Sequence, residues 1–417
     1  MIKVATSTSF VTPQEPCFMG GYGMRTQKSE GVLDELKCTA VLLEIEGSRV
    51  VLCDVEILMI TSEIVAAVKN RLQEEYGIQP EMVTIATTHT HAGPEIRSER
   101  LPMFNEDSDD GFWRRYQDFL KETIFATIAG CFEAELKEAD AWYRTVKIEG
   151  LYGNRNGIGK PEDKDVTLIV FKNRQEVLAA IVNISCHPTV LGAQNLQISS
   201  DLLGYISRGV KERLGVYPLM MQGASGDMSN RNYRQGHDAQ ELTRTGEGIL
   251  AQLFASEDLE TLSLNKPVIE GYHWEISYPQ DKEALRKLQA QIREQMAAEN
   301  DYDKHKILLS SDYGIDLKLK KDEVTATFDA AVIRLGDIEI CKQPGELFSR
   351  FGMQIKAASK AKLPLIWGYC DDYGGYLADE GEYGKTYESI MSPMPKGASE
   401  EITADLARLM VGETEKK

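Results

Sequence analysis

The chain holds six histidines, at 89, 91, 187, 237, 273 and 305, and three of them sit where chemistry is usually placed. His89 and His91 lie in Thr87-Thr88-His89-Thr90-His91-Ala92-Gly93-Pro94, directly after an apolar run ending near Ala86. Residues i and i+2 of an extended strand face the same side, so both imidazoles are expected to project together from a strand end. Strand carboxyl ends are where α/β folds commonly carry their sites. A metal pair and a satisfied polar pair at a sheet edge both fit this spacing. His187 follows a second apolar run in Asn183-Ile184-Ser185-Cys186-His187-Pro188-Thr189, beside a proline that ends regular structure. One strand-end histidine is more often structural than ligating, but two such sites strengthen the case for a metal. Zinc is the first choice, because imidazole and oxygen ligands suit it and a catalytic zinc keeps one position open.

A further run, Gln222-Gly223-Ala224-Ser225-Gly226-Asp227-Met228-Ser229-Asn230, is dense in small and hydroxyl residues. It lacks the GxSxG spacing of a nucleophile elbow, which argues against a serine hydrolase. Taken alone it reads as a tight turn capped by Asp227 and Ser229.

The elements that must position these groups alternate. Apolar runs predict strands at Cys38–Ile45, Arg49–Val55, Met82–Thr87, Asp165–Phe171, Val177–Ile184, Tyr217–Met221, Ala326–Arg334 and Ile338–Lys342. Helical periodicity predicts Ser62–Tyr76, Gly111–Ala134, Leu202–Leu214, Ala239–Phe254, Lys282–Ala298, Leu347–Ala358 and Ser399–Met410. The alternation predicts an α/β fold, a mixed β-sheet core flanked by helices, in a single catalytic domain over 1–417. Residues 281–312 read as a helical insertion, a hairpin or lid element for which a solvated helix packing one face is the simpler account.

Composition bounds the partners. The chain has 417 residues, 42% apolar and 27% charged, with 47 basic and 65 acidic side chains and a formal net charge of −18. So acidic a surface repels phosphate backbones, which excludes nucleic acid as a natural partner and leaves a small-molecule substrate. No run reaches the roughly 18 apolar residues of a membrane span, so no integral membrane segment is expected. The first residues, MIKVATSTSFVTPQEP, lack an apolar signal core, so the chain as given is expected to be cytoplasmic. Seven cysteines without CxxC spacing fit reduced, buried thiols better than disulfides.

Taken together, the motifs resemble the catalytic domain of the neutral/alkaline (non-lysosomal) ceramidase family. The resemblance runs in order through Met19-Gly20-Gly21-Tyr22-Gly23, the THTHAGP run, Asn154-Arg155-Asn156, the strand ending in His187, GASGDMSN and Pro344-Gly345-Glu346. It ends with Tyr373-Gly374-Gly375-Tyr376, Glu382-Tyr383 and Tyr387-Glu388. It implies a Zn2+ site made by His89, His187, Glu346 and Tyr376. Glu346 would otherwise be an ordinary surface acid, and Tyr376 one aromatic of a Tyr/Gly-rich loop. It further implies active-site roles for His91, Arg155, Ser229 and Tyr387, the last at a spacing from Tyr376 one residue shorter than the family's.

The activity implied is zinc-dependent hydrolysis of the amide bond of an N-acyl substrate through a metal-activated water. Arg155, Tyr387, His91 or Ser229 would stabilise the oxyanion, one such donor being worth about 3–4 kcal/mol, and His91 would protonate the leaving amine. Ser229 would support rather than attack. Asn156 replaces the family's usual serine, Ala92 stands where the THTH run often continues with serine, and the chain as given is expected to carry the catalytic domain only, without the immunoglobulin-like domain of long ceramidases. These departures make a smaller, more polar N-acyl compound as good a candidate as ceramide. Because zinc-activated water attacks esters as readily as amides, a zinc-dependent esterase, lactonase or deacetylase acting on a small polar metabolite or sugar stays open, as does a non-catalytic metal-binding protein.

Overall fold

The strand Lys37–Ile45 is buried on both faces almost end to end, which requires a layer on each side of its sheet. The computed structural model, which describes residues 1–23, 25–97 and 110–412, supplies both layers. The sheet runs in the order Pro218–Gln222, Val177–Ile184, Asp165–Lys172, Lys137–Lys147, Ile2–Phe10, Lys37–Ile45, Ser48–Val55 and Val83–Thr87. Glu260–Leu262 pairs with Lys137–Lys147. On one face lie α1 (Ser62–Tyr76), α2 (Phe112–Glu133), α3 (Asp201–Leu214) and α4 (Ala239–Leu253), packed on side chains such as Cys38, Ala40 and Leu42 or Ala180 and Val182.

The intervening side chains, Val41, Leu43 and Ile181 among them, face a second sheet of Val268–Pro279, Glu323–Leu335, Ile338–Lys342 and Leu363–Trp367. A helical hairpin, α5 (Lys282–Ala298) and α6 (Tyr302–Leu319), is inserted between the first two of these strands. Their pairing continues without a break to Pro279 opposite Glu323, so the hairpin stands at the end of a closed ladder. Behind the second sheet lie α7 (Ser349–Ala358), the short α8 (Tyr387–Met391) and α9 (Ala398–Val411), covering Phe328 and Val332. The order of layers is helices, sheet, sheet, helices, and the mixed α/β architecture agrees with the sequence.

Within the two large sheets three of the strand pairs are parallel: Ser48–Val55 with Val83–Thr87, Val177–Ile184 with Pro218–Gln222, and Ile338–Lys342 with Leu363–Trp367. Parallel neighbours need a crossover, and α1, α3 and α7 provide the three. Each crossover leaves the carboxyl ends of both its strands at one edge. The three edges are stitched together, with Thr87 N donating to Tyr369 O at 3.2 Å and Gly368 N to Gln222 O at 2.8 Å. The sequence segments holding His89, His187, Glu346 and Tyr376 all leave strands there.

All seven cysteines are free and buried. Among the described residues no helix is long and apolar enough to cross a membrane.

Candidate metal centre and active site

The strand before His89 ends at Thr87, and His89 itself has φ +65°, in the left-handed region. The convergence of His89 and His91 therefore does not come from strand alternation, as the spacing suggested, but from a bend at His89. A non-glycine residue there costs about 1–2 kcal/mol, so the surroundings must hold it. They do: His89 N donates to Ile57 O at 3.0 Å and its Nδ1 meets Leu58 O at 2.7 Å. His91 is held from behind by Arg25, which donates to the His91 carbonyl at 2.8 Å, and by the Tyr22 ring 5.0 Å away. Gly21, at φ +92°, lies so close to the His91 ring that any side chain there would collide with it.

His187 is fully buried, its N–H bonded to Met228 O at 3.0 Å and its Nδ1 to Ser225 O at 2.5 Å. The three rings lie 5.0 to 5.6 Å apart between centroids, and one nitrogen from each falls within 4.8 Å of the others, a group that could hold a metal ion. In His89 and His187 a backbone carbonyl accepts from Nδ1, which fixes the proton there and turns the Nε2 lone pair inward.

Glu346 Oε2 completes the set, 2.9 Å from His187 Nε2 and 3.4 Å from His89 Nε2. Close as they are, neither Glu346 Oε2 nor His187 Nε2 makes a hydrogen bond, and both ring nitrogens of His91 are likewise buried without a partner. Buried acceptors left facing one another are costly unless a cation lies among them. Burial, with Arg155 nearby, pushes the His187 imidazole down to about 4. Burial, with His89 and His187 beside it, drives His91 well below the usual histidine range. Imidazole nitrogens turned inward beside a carboxylate oxygen are the donor set a divalent metal requires, so these residues fit one.

Tyr376 sits opposite Glu346 in a short parallel bridge, its ring 6.5 Å from that of His187. Its hydroxyl accepts from Arg155 Nη2 at 3.3 Å, while burial and the nearby Glu346 raise its pKa well above the usual phenol value. Arg155 is buried; it donates to Glu388 Oε1 and to Gly226 O, both at 2.7 Å. Burial would lower its pKa, but the Glu388 charge reverses that and keeps it protonated. Asn156 donates to the other Glu388 oxygen at 3.2 Å, so this departure from the family motif has a structural partner.

A cavity of about 440 Å³ opens over this centre. His89, His91, Glu346 and Tyr376 reach it from below, and Tyr387 from α8, its ring 6.0 Å from that of Tyr376. From above, α6 contributes Leu309, Ser310 and Tyr313, so the inserted hairpin is more than a solvated helix. His187, Arg155 and Ser229 stand behind the lining. Ser229 is buried and its Oγ accepts from Arg231 N at 3.1 Å, within the turn.

Of the further neighbours, only Asp227 was singled out by sequence, as a turn cap. Tyr373 donates to Glu346 Oε1 at 2.5 Å; Tyr369 stacks on His89 at 4.3 Å and its hydroxyl lies 2.9 Å from Ser225 Oγ. Asp227 accepts from Ser349 N at the start of α7 and from Asn154 Nδ2, both at 2.7 Å. Burial lifts its pKa to about 6. Tyr373, Ser225 and Glu388 all lay inside motifs already noted, the only signal that could have marked them.

The fold has solved counterparts. The structure of neutral ceramidase from Pseudomonas aeruginosa superposes with a TM-score of 0.73 at 17% identity, covering 100% of this chain and 75% of that one. A structure described as ceramidase complexed with C2 gives 0.72 at 16% identity, with 100% and 76% covered. At such identities the likeness speaks for the fold alone. The sequence is more specific, because residues 10–217 match the family described as neutral/alkaline non-lysosomal ceramidase, N-terminal. This chain belongs to the neutral/alkaline ceramidase family.

Proposed function

We propose that the chain is a zinc-dependent amidase that cleaves N-acyl substrates of the ceramide type. The observation that carries this reading is the convergence of His89 Nε2, His187 Nε2 and Glu346 Oε2 below a cavity, in a chain of a ceramidase family. His89, His187, Glu346 and Tyr376 would hold the ion, with His91 beside them. Bound there, zinc supplies Lewis acidity, generating a nucleophile from water near neutral pH and polarising the scissile carbonyl.

The chain's own groups do the rest. Tyr387 and His91 face the cavity and are placed to donate to the oxygen of the tetrahedral intermediate. Arg155 acts through Tyr376, fixing the phenol oxygen by its 3.3 Å hydrogen bond. His91, neutral in its buried setting, takes a proton from the attacking water and passes it to the departing amine. Ser229 keeps the turn that carries the Met228 carbonyl under His187.

A panel of matched N-acyl amides and O-acyl esters tests the bond. Amide cleavage abolished by chelation and restored by zinc is expected. Cleavage of esters alone would replace the amidase with an esterase or lactonase, and turnover of neither would leave a metal-binding protein.

A further inference from the structure

The cavity lining carries two stretches of different chemistry. Beside Gly20 and Tyr373 stand Glu95 and Arg97, joined by two hydrogen bonds of 2.8 Å, with the guanidinium 6.0 Å from the Tyr373 ring. Beside Gly375 and Tyr376 the wall is mostly apolar, made by Leu309 and Tyr313 of α6 with Met391 and Pro393 near the end of α8, and only the Ser310 hydroxyl and the phenol groups of Tyr313 and Tyr387 add polar atoms to it.

Met391 lies against the bare backbone of Gly314 on α6, where any side chain would collide with its sulfur. The segment after it is pinned on both flanks: Lys318 Nζ donates to Ser392 O at 2.6 Å, and Tyr278 Oη to Pro393 O at 2.8 Å. Ser392 Oγ in turn donates to Tyr376 O at 2.7 Å, which ties this wall to the metal centre. Just before those fixed points stands Met391, an unbranched, adaptable side chain suited to fill whatever space an aliphatic occupant leaves.

We propose that this apolar wall receives the acyl chain of the substrate and that Met391 sets the acyl length accepted. The inference rests on the amidase reading above. An amine portion bearing hydroxyls finds donors and acceptors in the stretch holding Glu95 and Arg97, whereas a polymethylene chain gains only from the apolar stretch.

The test uses the full chain and two readouts, with Met391→Ala and the volume-conserving Met391→Leu. Straight-chain carboxylic acids of six to sixteen carbons are titrated by calorimetry, and kcat/KM is measured on N-acyl amides varied first in the acyl chain and then in the amine chain. Met391→Ala is expected to raise long-over-short acyl preference about tenfold in both readouts, as the vacated space takes up further methylenes. Met391→Leu should stay within about threefold of the parent, and preference along the amine chain should not move. An unchanged acyl preference in Met391→Ala, or a shift along the amine chain instead, overturns the proposal. If no amide is cleaved but the acids still bind with a Met391-dependent length preference, the amidase reading fails and the acyl subsite stands.

Discussion

Glu346 Oε2 and His187 Nε2 stand 2.9 Å apart, buried, and are not hydrogen-bonded to each other. The His187 proton is committed on the other side of the ring, where Nδ1 meets Ser225 O at 2.5 Å. Two lone pairs held this close repel unless something positive lies beside them. Because the residues follow strands of two different sheets, the contact is maintained by the whole layered core. That rigidity is what a preformed ligand set needs.

Glu346 is aimed by Tyr373, whose hydroxyl donates to the other carboxylate oxygen. Partners of this kind commonly account for 10–100-fold in metal affinity or activity. Tyr373→Phe is expected to weaken zinc binding by roughly that factor while leaving the far-ultraviolet circular dichroism unchanged. Competition with a chromophoric chelator measures it, and an affinity within about twofold of the parent would show that Glu346 needs no such support.

The buried pair of Arg155 and Glu388 separates stability from chemistry. Removing one partner leaves an uncompensated buried charge, a loss of about 3–5 kcal/mol. Glu388→Ala should therefore unfold at markedly lower denaturant. The double variant Arg155→Met, Glu388→Leu should recover most of that stability without recovering activity, since the hydrogen bond to Tyr376 is gone. Denaturation midpoints and turnover on the same samples test this; a double variant as active as the parent would remove Arg155 from the account.

Lys318 gives a pH signature away from the metal. Burial pushes its amine down from 10.5 to about 8. Between those values the unfolded chain carries a proton the folded chain does not, so stability rises as pH climbs from about 8 to 10.5. Below about 8 both states are charged and the full desolvation penalty remains, up to about 3 kcal/mol. Lys318→Met should be the more stable protein at pH 7, with the advantage vanishing by about pH 10.5. A difference in unfolding free energy independent of pH across that window would contradict the burial of the amine.

What was legible in the sequence follows from where the information sits. Strands buried on both faces, such as Val177–Ile184, and helices with one apolar stripe, such as α1, announce themselves by period. Ile2–Phe10, Lys137–Lys147 and Val268–Pro279 interleave polar and apolar residues along half-exposed positions and passed unnoticed. Leu363–Trp367 is short and carries a proline. The second helix of the hairpin spreads its apolar residues around the axis, leaving little periodicity to read. At the site, His89 and His187 were visible because each follows an apolar strand. Their bend and tautomers were not, because both depend on the carbonyls of Ile57, Leu58 and Ser225. The pairing of Arg155 with Glu388 spans 233 residues, and no local pattern encodes it.

The most direct measurement is metal content together with amide turnover on the purified full chain and its His187→Ala variant. The account predicts about one zinc per parent chain, chelator-sensitive cleavage of an N-acyl amide, and loss of both in the variant while it remains folded. A parent chain that binds no divalent metal, or a His187→Ala variant that cleaves the amide as fast as the parent, would contradict it.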